Sequence, residues 1–353
     1  MFSGEPSWLL VTRKPINNTW IILKEMFSNT DIILRVNNFS AGFEKDGKIY
    51  SAVDRISFDL RKGEILGIVG ESGCGKSVTA LSIMRLLPIP YGKYIGGEII
   101  FNDKNLLDLT HEEMRFIRGN SISMIFQEPM TALNPVKRIG KQIYEVLELH
   151  KKHLSKSEMY NETLSLLEKV GISDPMERMN EYPHQLSGGM RQRVMIAMAL
   201  ACKPDILIAD EPTTALDVTI QAQILDLIRS LQHEFGMSVI FITHDLGVIA
   251  QLCNTVMVMY GGRIAEKAPA LKLFNSPKHP YTKGLLDSIP KFEYVRKSRL
   301  KSIEGMVPSI ADYPVGCRFG NRCEFAFDKC AHGNPKEFAA DIDHIVSCCK
   351  YDE

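Results

Sequence analysis

The chain has 353 residues and carries 42 lysines and arginines against 42 aspartates and glutamates, so its formal net charge is zero. A hydrophobic content of 45% is typical of a folded chain and excludes a disordered or collagen-like protein. The length predicts about two domains. The neutral charge argues against a general nucleic-acid binder, which carries an excess of basic residues.

Apolar segments of the chain are too short to cross a membrane, which takes about 20 nearly continuous apolar residues. The runs Ile206–Ala209 and Ser238–Ile242 each end at polar residues, and Trp20–Leu23 is flanked by charged ones. The N-terminus lacks the apolar core and cleavage site of a signal peptide. We therefore predict a chain that is neither membrane-spanning nor secreted, with residues 1–30 as an N-terminal extension of unknown role.

The first predicted elements lie between residues 32 and 87. Strands are predicted at Ile32–Val36 and at Ile56–Leu60, and the second of them alternates apolar with polar residues. Ile65–Val69 is a continuous apolar run, as in a strand that is buried on both faces. A helix is predicted from Lys76 to Leu87, ending before Pro88.

Helices and buried strands alternate further along the chain. Helices are predicted at Met190–Ala201 and Ile220–Phe235, and strands at Ile206–Ala209 and Met237–Ile242. This alternation predicts an α/β fold with a parallel sheet. Residues at about 130–190 are rich in Lys, Glu, Leu and Met and are predicted to form a helical insertion, because apolar residues recur at helical spacing in 143–147 and 164–170.

A Pro-rich break at Asn275–Pro280 divides the chain into predicted domains at 31–275 and 276–353. The second is predicted to be small and irregular, and it holds five of the eight cysteines. The spacing C-x5-C-x6-C-x17-C lacks the C-x2-C pair of structural zinc sites. Clustered cysteines favour a metal site over disulfides, but the spacing alone leaves zinc, an iron–sulfur cluster and packing open. The five residues are Cys317, Cys323, Cys330, Cys348 and Cys349.

Residues Gly70–Ser77 fit the pattern G-x-x-x-x-G-K-[ST] between a predicted buried strand and a helix. Its glycines turn the backbone so that N–H groups point at phosphate oxygens, and the following helix adds its N-terminal dipole. Lys76 is predicted to neutralise the β- and γ-phosphates, and Ser77 to bind Mg²⁺. The predicted phosphate-binding residues are Gly70, Ser72, Gly73, Gly75, Lys76 and Ser77.

Two carboxylates, Asp210 and Glu211, follow an apolar strand. Open α/β sheets bind ligands at such strand ends. Asp210 is predicted to reach Mg²⁺ directly or through water, and Glu211 to orient and polarise the attacking water. Together with Lys76 they supply most of what phosphoryl transfer needs.

A second helix start with exposed backbone donors is predicted at Ser187, Gly188 and Gly189. Two phosphate-binding ends of one chain cannot easily meet on one nucleotide. We therefore expect a head-to-tail dimer, in which each nucleotide lies between the phosphate loop of one chain and the Ser-Gly-Gly of the other.

These motifs together resemble the ATP-binding subunit of ABC transporters, whose further motifs follow in order. Gln127 matches the glutamine-loop residue that senses Mg²⁺ and water, Asp217 matches the D-loop, and His244 matches the switch histidine at the γ-phosphate. The resemblance implies ATP and Mg²⁺ as cofactors, a P-loop NTPase core, an antiparallel β subdomain, and Phe43 or Tyr50 stacking on adenine. The implied Mg²⁺ site is formed by Ser77, Gln127 and Asp210.

Three longer motifs are similar to the oligopeptide/dipeptide permease branch, namely Phe126–Pro135, Met259–Ile264 and His279–Leu286. The resemblance covers about residues 32–350. It implies an importer subunit at the cytoplasmic face of the membrane, with a second ATPase (a paralogue or a copy of itself), two transmembrane permease subunits and, indirectly, an extracellular solute-binding protein. The solute stays open among dipeptides, longer peptides, nickel and oligosaccharides.

The same branch resemblance implies a [4Fe-4S] cluster at Cys317, Cys323, Cys330 and Cys348. Zinc and the absence of metal stay open, and Cys349 could exchange roles with Cys348. Two rival functions also stay open: a soluble ABC ATPase acting in DNA repair or on ribosomes, and a regulator that binds ATP without turnover. The chain has neither a second ATPase unit nor a long coiled-coil insertion, which such soluble ATPases often carry.

Overall fold

A computed structural model describes residues 31–128, 132–214, 216–289 and 302–351. The predicted N-terminal extension at 1–30 lies outside the described residues. So do residues 129–131 of the permease-type motif and Ala215, which precedes Asp217 in the predicted D-loop.

Twelve strands occur in the described residues. In chain order they are β1 Ile32–Lys45, β2 Lys48–Arg61, β3 Ile65–Val69, β4 Gly92–Phe101, β5 Lys104–Asn105, β6 Ile122–Ile125, β7 Ile206–Asp210, β8 Ser238–Thr243, β9 Thr255–Tyr260, β10 Arg263–Pro269, β11 Glu337–Asp341 and β12 His344–Ser347.

The α-helices of the same residues lie between and after these strands. They are α1 Lys76–Ile83, α2 His111–Ile117, α3 Ile139–His150, α4 Lys156–Lys169, α5 Pro175–Arg178, α6 Gly188–Leu200, α7 Val218–Phe235, α8 Leu246–Leu252, α9 Ala270–Asn275, α10 Pro280–Asp287 and α11 Asp328–His332. None of the helices described is long and apolar enough to cross a membrane.

The larger sheet has the strand order β11-β12-β10-β9-β3-β8-β7-β6. Strands β3, β6, β7, β8 and β9 pair in parallel, as the alternation of helices and strands predicts. Strands β10, β11 and β12 extend one edge in antiparallel pairs. The carboxyl ends of the parallel strands therefore meet at one edge, where β3 and β7 deliver the two predicted phosphate-site motifs.

Both faces of the larger sheet are covered, which explains the continuous apolar runs in its strands. In β7, Ile206 and Ile208 contribute to one hydrophobic core, whereas Leu207 and Ala209 contribute to another, and all four are fully buried. Successive side chains of a strand point to opposite faces. An alternating apolar and polar pattern would bury polar groups against one of these cores.

The smaller sheet is antiparallel and has the order β2-β1-β4-β5. It corresponds to the antiparallel β subdomain that the family resemblance implies. The predicted helical insertion contains α3, α4 and α5. Helix α4 begins with a capping box in which Ser155 accepts a hydrogen bond from the Glu158 amide, and the Glu158 carboxylate accepts one from the Ser155 amide.

The predicted helix Lys76–Leu87 is too long, since α1 ends at Ile83. Arg85 has φ of 49°, which does not continue a right-handed helix. The carbonyl oxygens of Met84 and Arg85 accept hydrogen bonds from the Arg118 guanidinium at 2.7 and 2.9 Å. The Arg118 side chain therefore donates the hydrogen bonds that backbone amides of a further helical turn would have donated to these two carbonyls.

The C-terminal region is less irregular than the sequence predicts, because β12 pairs with β10 and β11 pairs with β12. The buried Glu266 of β10 stabilises this junction. Its carboxylate accepts hydrogen bonds from the amides of Lys278 and His279 at 2.7 and 2.9 Å, and His344 Nε2 of β12 lies 2.7 Å from Oε1. The predicted domain boundary at 275/276 stays a prediction.

Candidate functional site

The predicted phosphate loop connects β3 to α1. Gly70 and Gly75 have φ values of 153° and 103°, in the region that favours glycine. A Cβ on Gly70 would lie 2.2 Å from the carbonyl oxygen of Met259. The loop therefore follows a path that other residues would obstruct, with Ser72 and Gly73 exposed at its tip.

Lys76 is the first residue of α1, and its side chain folds back into the loop. Its Nζ donates hydrogen bonds to the carbonyl oxygens of Gly70 and Glu71 at 2.7 and 3.1 Å. The residue is 5% exposed. The ammonium thus lies inside the loop, close to the first-turn amides of α1, which lack intrahelical partners. This arrangement presents a positive group to a bound anion.

Asp210 ends β7 and faces the phosphate loop. Ser77 Oγ donates a hydrogen bond to Asp210 Oδ1 at 3.1 Å. Burial raises the pKa of Asp210, the neighbouring Glu211 adds to this rise, and the Ser77 hydrogen bond opposes it. A hydroxyl beside a buried carboxylate supplies the oxygen ligands that Mg²⁺ prefers, with the remaining ligands left to phosphate and water.

Glu211 brings together the predicted catalytic residues of three segments. Its Oε2 accepts hydrogen bonds from Gln127 Nε2 at 3.1 Å and from Thr214 Oγ1 at 2.9 Å, and it lies 3.5 Å from His244 Nδ1. Glu211 has φ of 47°, and its amide donates to Ile242 of β8. A carboxylate held this way can accept a proton from a water molecule or fix its orientation.

The predicted dimer motifs stand apart from this cluster, at the exposed starts of two helices. Ser187 caps α6 and Asp217 caps α7, each by accepting a hydrogen bond from an amide in its own helix. A Cβ on Gly189 would lie 3.0 Å from Ile220 Cγ2, so the two helix starts are close neighbours. Gly188 is exposed beside them, and their dimer role stays a prediction.

Two aromatic residues are candidates for stacking on adenine, on neighbouring strands of the smaller sheet. Phe43 of β1 is partly buried against the core cluster beneath that sheet. Tyr50 of β2 has Lys48 Nζ 5.1 Å from its ring centroid. Neither contact selects between them, and both assignments stay predictions.

All five C-terminal cysteines line one small cavity of about 20 Å³, together with apolar side chains that include Phe325 and Phe327. Burial raises the pKa of Cys317 to about 11 and that of Cys349 to about 12, and neighbouring thiols add to both. Within the residues described, no group of three or more His, Cys, Asp or Glu side chains has the arrangement of a formed metal site. The thiols are therefore close together without showing metal geometry.

Two residues at the phosphate loop were missed by the sequence analysis. Tyr281 accepts a hydrogen bond from the Glu71 amide through its hydroxyl at 2.9 Å. Arg322 forms a bidentate ion pair with the Glu71 carboxylate. Their only sequence signals were a position within the permease-type motif for Tyr281 and a position directly before Cys323 for Arg322.

Comparisons with known families match two parts of the chain. Residues 53–214 match the family model described as ABC transporter. Residues 265–330 match the model described as oligopeptide/dipeptide transporter, C-terminal region. The first match contains the phosphate loop, Gln127, the acid pair and the Ser-Gly-Gly motif, and the second contains Tyr281 and Arg322.

Curated relatives align over nearly the whole chain. The dipeptide transport ATP-binding protein DppD of Bacillus subtilis is 52% identical, covering 91% of this chain and 95% of its own. A probable peptide ABC transporter ATP-binding protein of Sinorhizobium fredii is 51% identical, covering 92% and 96%. The oligopeptide transport ATP-binding protein AppD of Bacillus subtilis is 49% identical, covering 91% and 97%.

Solved structures match the core of the fold. A dimeric ATP-binding cassette in a post-hydrolysis state, bound to ADP and Pi, is 29% identical with a TM-score of 0.60, covering 67% of this chain and 98% of its own. The protein cbiO1 of Clostridium perfringens, part of an ABC transporter complex, is 27% identical with a TM-score of 0.59, covering 70% and 92%. The parallel sheet and the phosphate loop are thus those of an ATP-binding cassette.

Proposed function

The chain belongs to the ATP-binding subunits of ABC transporters, and we propose that it hydrolyses ATP to drive an importer for dipeptides or oligopeptides. One observation carries the catalytic part of this proposal. Glu211 contacts Gln127 and lies 3.5 Å from His244, while the adjacent Asp210 contacts Ser77 of the phosphate loop. Gln127 and His244, which are far from Glu211 in the sequence, therefore both lie beside the Glu211 carboxylate.

In the proposed reaction, Lys76 and the loop amides bind the β- and γ-phosphates. Mg²⁺, when bound by the predicted ligands Ser77, Gln127 and Asp210, would neutralise charge that develops on the phosphate oxygens. Glu211 orients the attacking water and takes up its proton, Gln127 positions the Glu211 carboxylate, and His244 contacts the γ-phosphate. The contacts among these residues support this division of roles.

A second ATPase subunit is part of the proposal. The predicted dimer residues lie at the starts of α6 and α7, where Ser187 and Asp217 cap the two helices. Ser187, Gly188 and Asp217 are exposed, and Gly189 is partly buried. A partner chain, either a paralogue or a second copy, would place its phosphate loop against them. ATP binding would then close the two chains on each other, and hydrolysis would let them separate.

The importer assignment also implies two transmembrane subunits, which the ATPase contacts from the cytoplasmic face. The segment from Gln127 to Lys141 is our candidate for this contact, and Val136 within it is 78% exposed. An extracellular solute-binding protein would act through these subunits and not on this chain directly.

Peptides are the proposed solutes because the chain carries the oligopeptide/dipeptide C-terminal region and aligns with peptide-transport relatives over more than nine-tenths of its length. Nickel and oligosaccharides are the alternatives. A ligand-binding screen on the extracellular receptor protein of the same transporter separates the three: peptide binding supports the proposal, and binding of only nickel or a sugar contradicts it.

The coupling to transport is tested by isolating the tagged chain from membranes. We expect polytopic membrane subunits to co-purify and the reconstituted complex to release phosphate faster in the presence of receptor and peptide. Co-purification with ribosomes or DNA, without membrane subunits, would contradict the importer assignment. A complex that binds ATP without releasing phosphate would instead indicate a regulator.

We also propose that Cys317, Cys323, Cys330 and Cys348 bind a metal centre, with Cys349 as the alternative to Cys348, a [4Fe-4S] cluster as the first assignment and zinc as the second. Thiolates are the protein ligands both centres use, and five thiols around one cavity are the supporting observation. A cavity of about 20 Å³ has room for about one water molecule, so a cluster requires the thiols to move apart.

Iron and zinc analysis of anaerobically purified chain tests this centre. We expect about four irons per chain, as the cluster formula requires, and loss of that iron in Cys317→Ser. Cys202→Ser is the matched control, because Cys202 is buried outside this cavity. About one zinc per chain would replace the cluster with a single ion, and absence of both metals would contradict the site.

A further inference from the structure

The loop between Cys317 and Cys323 contacts the phosphate loop through one ion pair. Arg322 Nη1 and Nη2 lie 2.6 and 3.1 Å from the two carboxylate oxygens of Glu71. The Arg322 side chain is only 5% exposed. Glu71 is the second residue of the phosphate-loop motif, so a residue of the C-terminal region bonds directly to the loop predicted to hold ATP.

The guanidinium of Arg322 is fixed on its remaining sides. Its Nε donates to the Glu304 carbonyl at 2.9 Å, and Nη2 donates to the Gly305 carbonyl at 3.1 Å. Nη1 lies 3.3 Å from the hydroxyl of Tyr260 in β9. A guanidinium held by several acceptors presents a fixed fork to the carboxylate, which a flexible lysine ammonium would not reproduce.

A second contact holds the same loop residue through its backbone. The Glu71 amide donates to the hydroxyl of Tyr281, a residue of α10 that is fully buried. The Tyr281 ring packs against Phe319, with centroids 5.3 Å apart, and Phe319 lies in the cysteine loop beside Arg322. The C-terminal region therefore fixes both the side chain and the amide of Glu71.

Displacement of Glu71 would alter the anion site itself. The Glu71 carbonyl accepts a hydrogen bond from Lys76 Nζ, so Glu71 and the phosphate-binding lysine are joined directly. The directions of the loop amides also depend on the backbone at Glu71. Ions that are bound by backbone donors are sensitive to small shifts of that backbone.

We propose that Arg322 is a positioning residue for the phosphate loop, through which the cysteine loop at 317–323 sets the affinity of the chain for ATP. The proposal rests on the assignment of Gly70–Ser77 as the ATP-binding loop. ATPase activity alone does not require this role. Under the proposal, nucleotide binding also depends on residues of the C-terminal region, outside the ATP-binding cassette.

The test measures the dissociation constant for a fluorescent ATP analogue with the full-length chain. Removing a hydrogen bond between charged groups corresponds to a loss of about tenfold in affinity, and we expect this for Arg322→Gln and for Glu71→Gln. The double variant should bind no more weakly than either single variant, because both remove one shared contact. Arg322→Lys should bind with intermediate affinity.

Lys272→Gln is the matched control. Lys272 of α9 contacts Asp341 and the Ile342 carbonyl of the C-terminal region, and so links the same two parts of the chain away from the phosphate loop. We expect its ATP affinity to equal that of the wild type. Melting temperatures without nucleotide identify any variant that loses affinity only because it unfolds.

The outcomes separate the proposal from its premise. Unchanged ATP affinity in Arg322→Gln, with strong binding by the wild type, overturns the positioning role and leaves the ATP site intact. Additive losses in the double variant also overturn it. Wild-type affinity in Lys76→Ala would instead overturn the assignment of the phosphate loop, on which the proposal rests.

Discussion

Gln127 Nε2 donates a hydrogen bond to Glu211 Oε2 across 3.1 Å, joining residues that are 84 positions apart in the chain. Gln127 lies just beyond β6 and Glu211 just beyond β7, and these two strands are parallel neighbours. The sheet thus brings the glutamine loop to the candidate catalytic base. The amide donor also keeps the carboxylate oriented before any water binds.

Replacement of Glu211 by glutamine should stop hydrolysis while leaving ATP binding intact. Glu211→Gln keeps the shape of the side chain but removes the base, which corresponds to a loss of about 100-fold or more in turnover. Phosphate release by the assembled complex measures this loss. Glu234→Gln is the control, since Glu234 pairs with Lys169 on the surface. Normal turnover in Glu211→Gln would remove Glu211 from the catalytic role.

The raised pKa of Asp210 predicts a pH dependence of Mg²⁺ binding. Burial favours the protonated carboxyl, and a proton on Asp210 competes with the metal ion. The affinity of the ATP-loaded chain for Mg²⁺ should therefore begin to fall at a higher pH than for an exposed aspartate. Titration with Mg²⁺ at several pH values measures this. Asp210→Asn should bind weakly at every pH, and an equally steep pH dependence in that variant would contradict the assignment.

His279 predicts that the fold loses stability in mild acid. Burial lowers its pKa from 6.5 to about 4, so the unfolded chain binds a proton in this range that the folded chain does not. The contribution of His279 to the free energy of unfolding should therefore be complete above about pH 6.5. It should fall by at most about 1.4 kcal/mol per pH unit as the pH drops toward 4. Denaturant unfolding at several pH values measures the slope.

His279→Asn is the diagnostic variant for that slope. His279 Nδ1 accepts a hydrogen bond from the Tyr281 amide at the start of α10, and asparagine can supply a similar cap without titrating. We expect a smaller slope between pH 4 and 6.5 in this variant. The same slope as in the wild type would assign the acid sensitivity to other groups.

The buried pair of Glu266 and His344 should contribute strongly to stability. His344→Ala removes one of three hydrogen-bond partners of the fully buried Glu266 carboxylate, and the loss of a hydrogen bond to a charged group costs about 1.5–3 kcal/mol. The free energy of unfolding in urea measures the effect. Lys169→Ala is the comparison, because its ion pair with Glu234 is exposed and should contribute less than about 1 kcal/mol. Equal effects of the two substitutions would contradict the argument.

The sequence predicts the parts of the fold that depend on local patterns. Apolar runs such as Ile206–Ala209 are visible because both faces of the sheet are buried, and the phosphate loop is visible through its glycines. The C-terminal strands were missed because β11 is mostly exposed and carries acidic residues at both ends. Their position depends on pairing with β10, and a local sequence pattern does not predict pairing between distant segments.

The candidate site likewise contains residues that local motifs predict and residues that only the fold brings together. Lys76, Asp210 and Glu211 follow from motifs with known chemistry. The ion pair between Glu71 and Arg322 spans 251 positions, and each residue alone is an ordinary surface charge in the sequence. The packing of Phe319 on Tyr281 and the contacts of Arg322 with Glu304, Gly305 and Tyr260 bring them together, and these contacts depend on the complete fold.

The place of β12 in the larger sheet also bears on synthesis of the chain. Glu266 is synthesised 78 residues before His344, its partner in space, and β12 contains both His344 and the paired residue Val346. This edge of the sheet can close only after the segment through β12 has left the ribosome. We therefore expect truncation by a premature stop near residue 335 to yield an unstable product, although every residue of the ATP-binding cassette would be present.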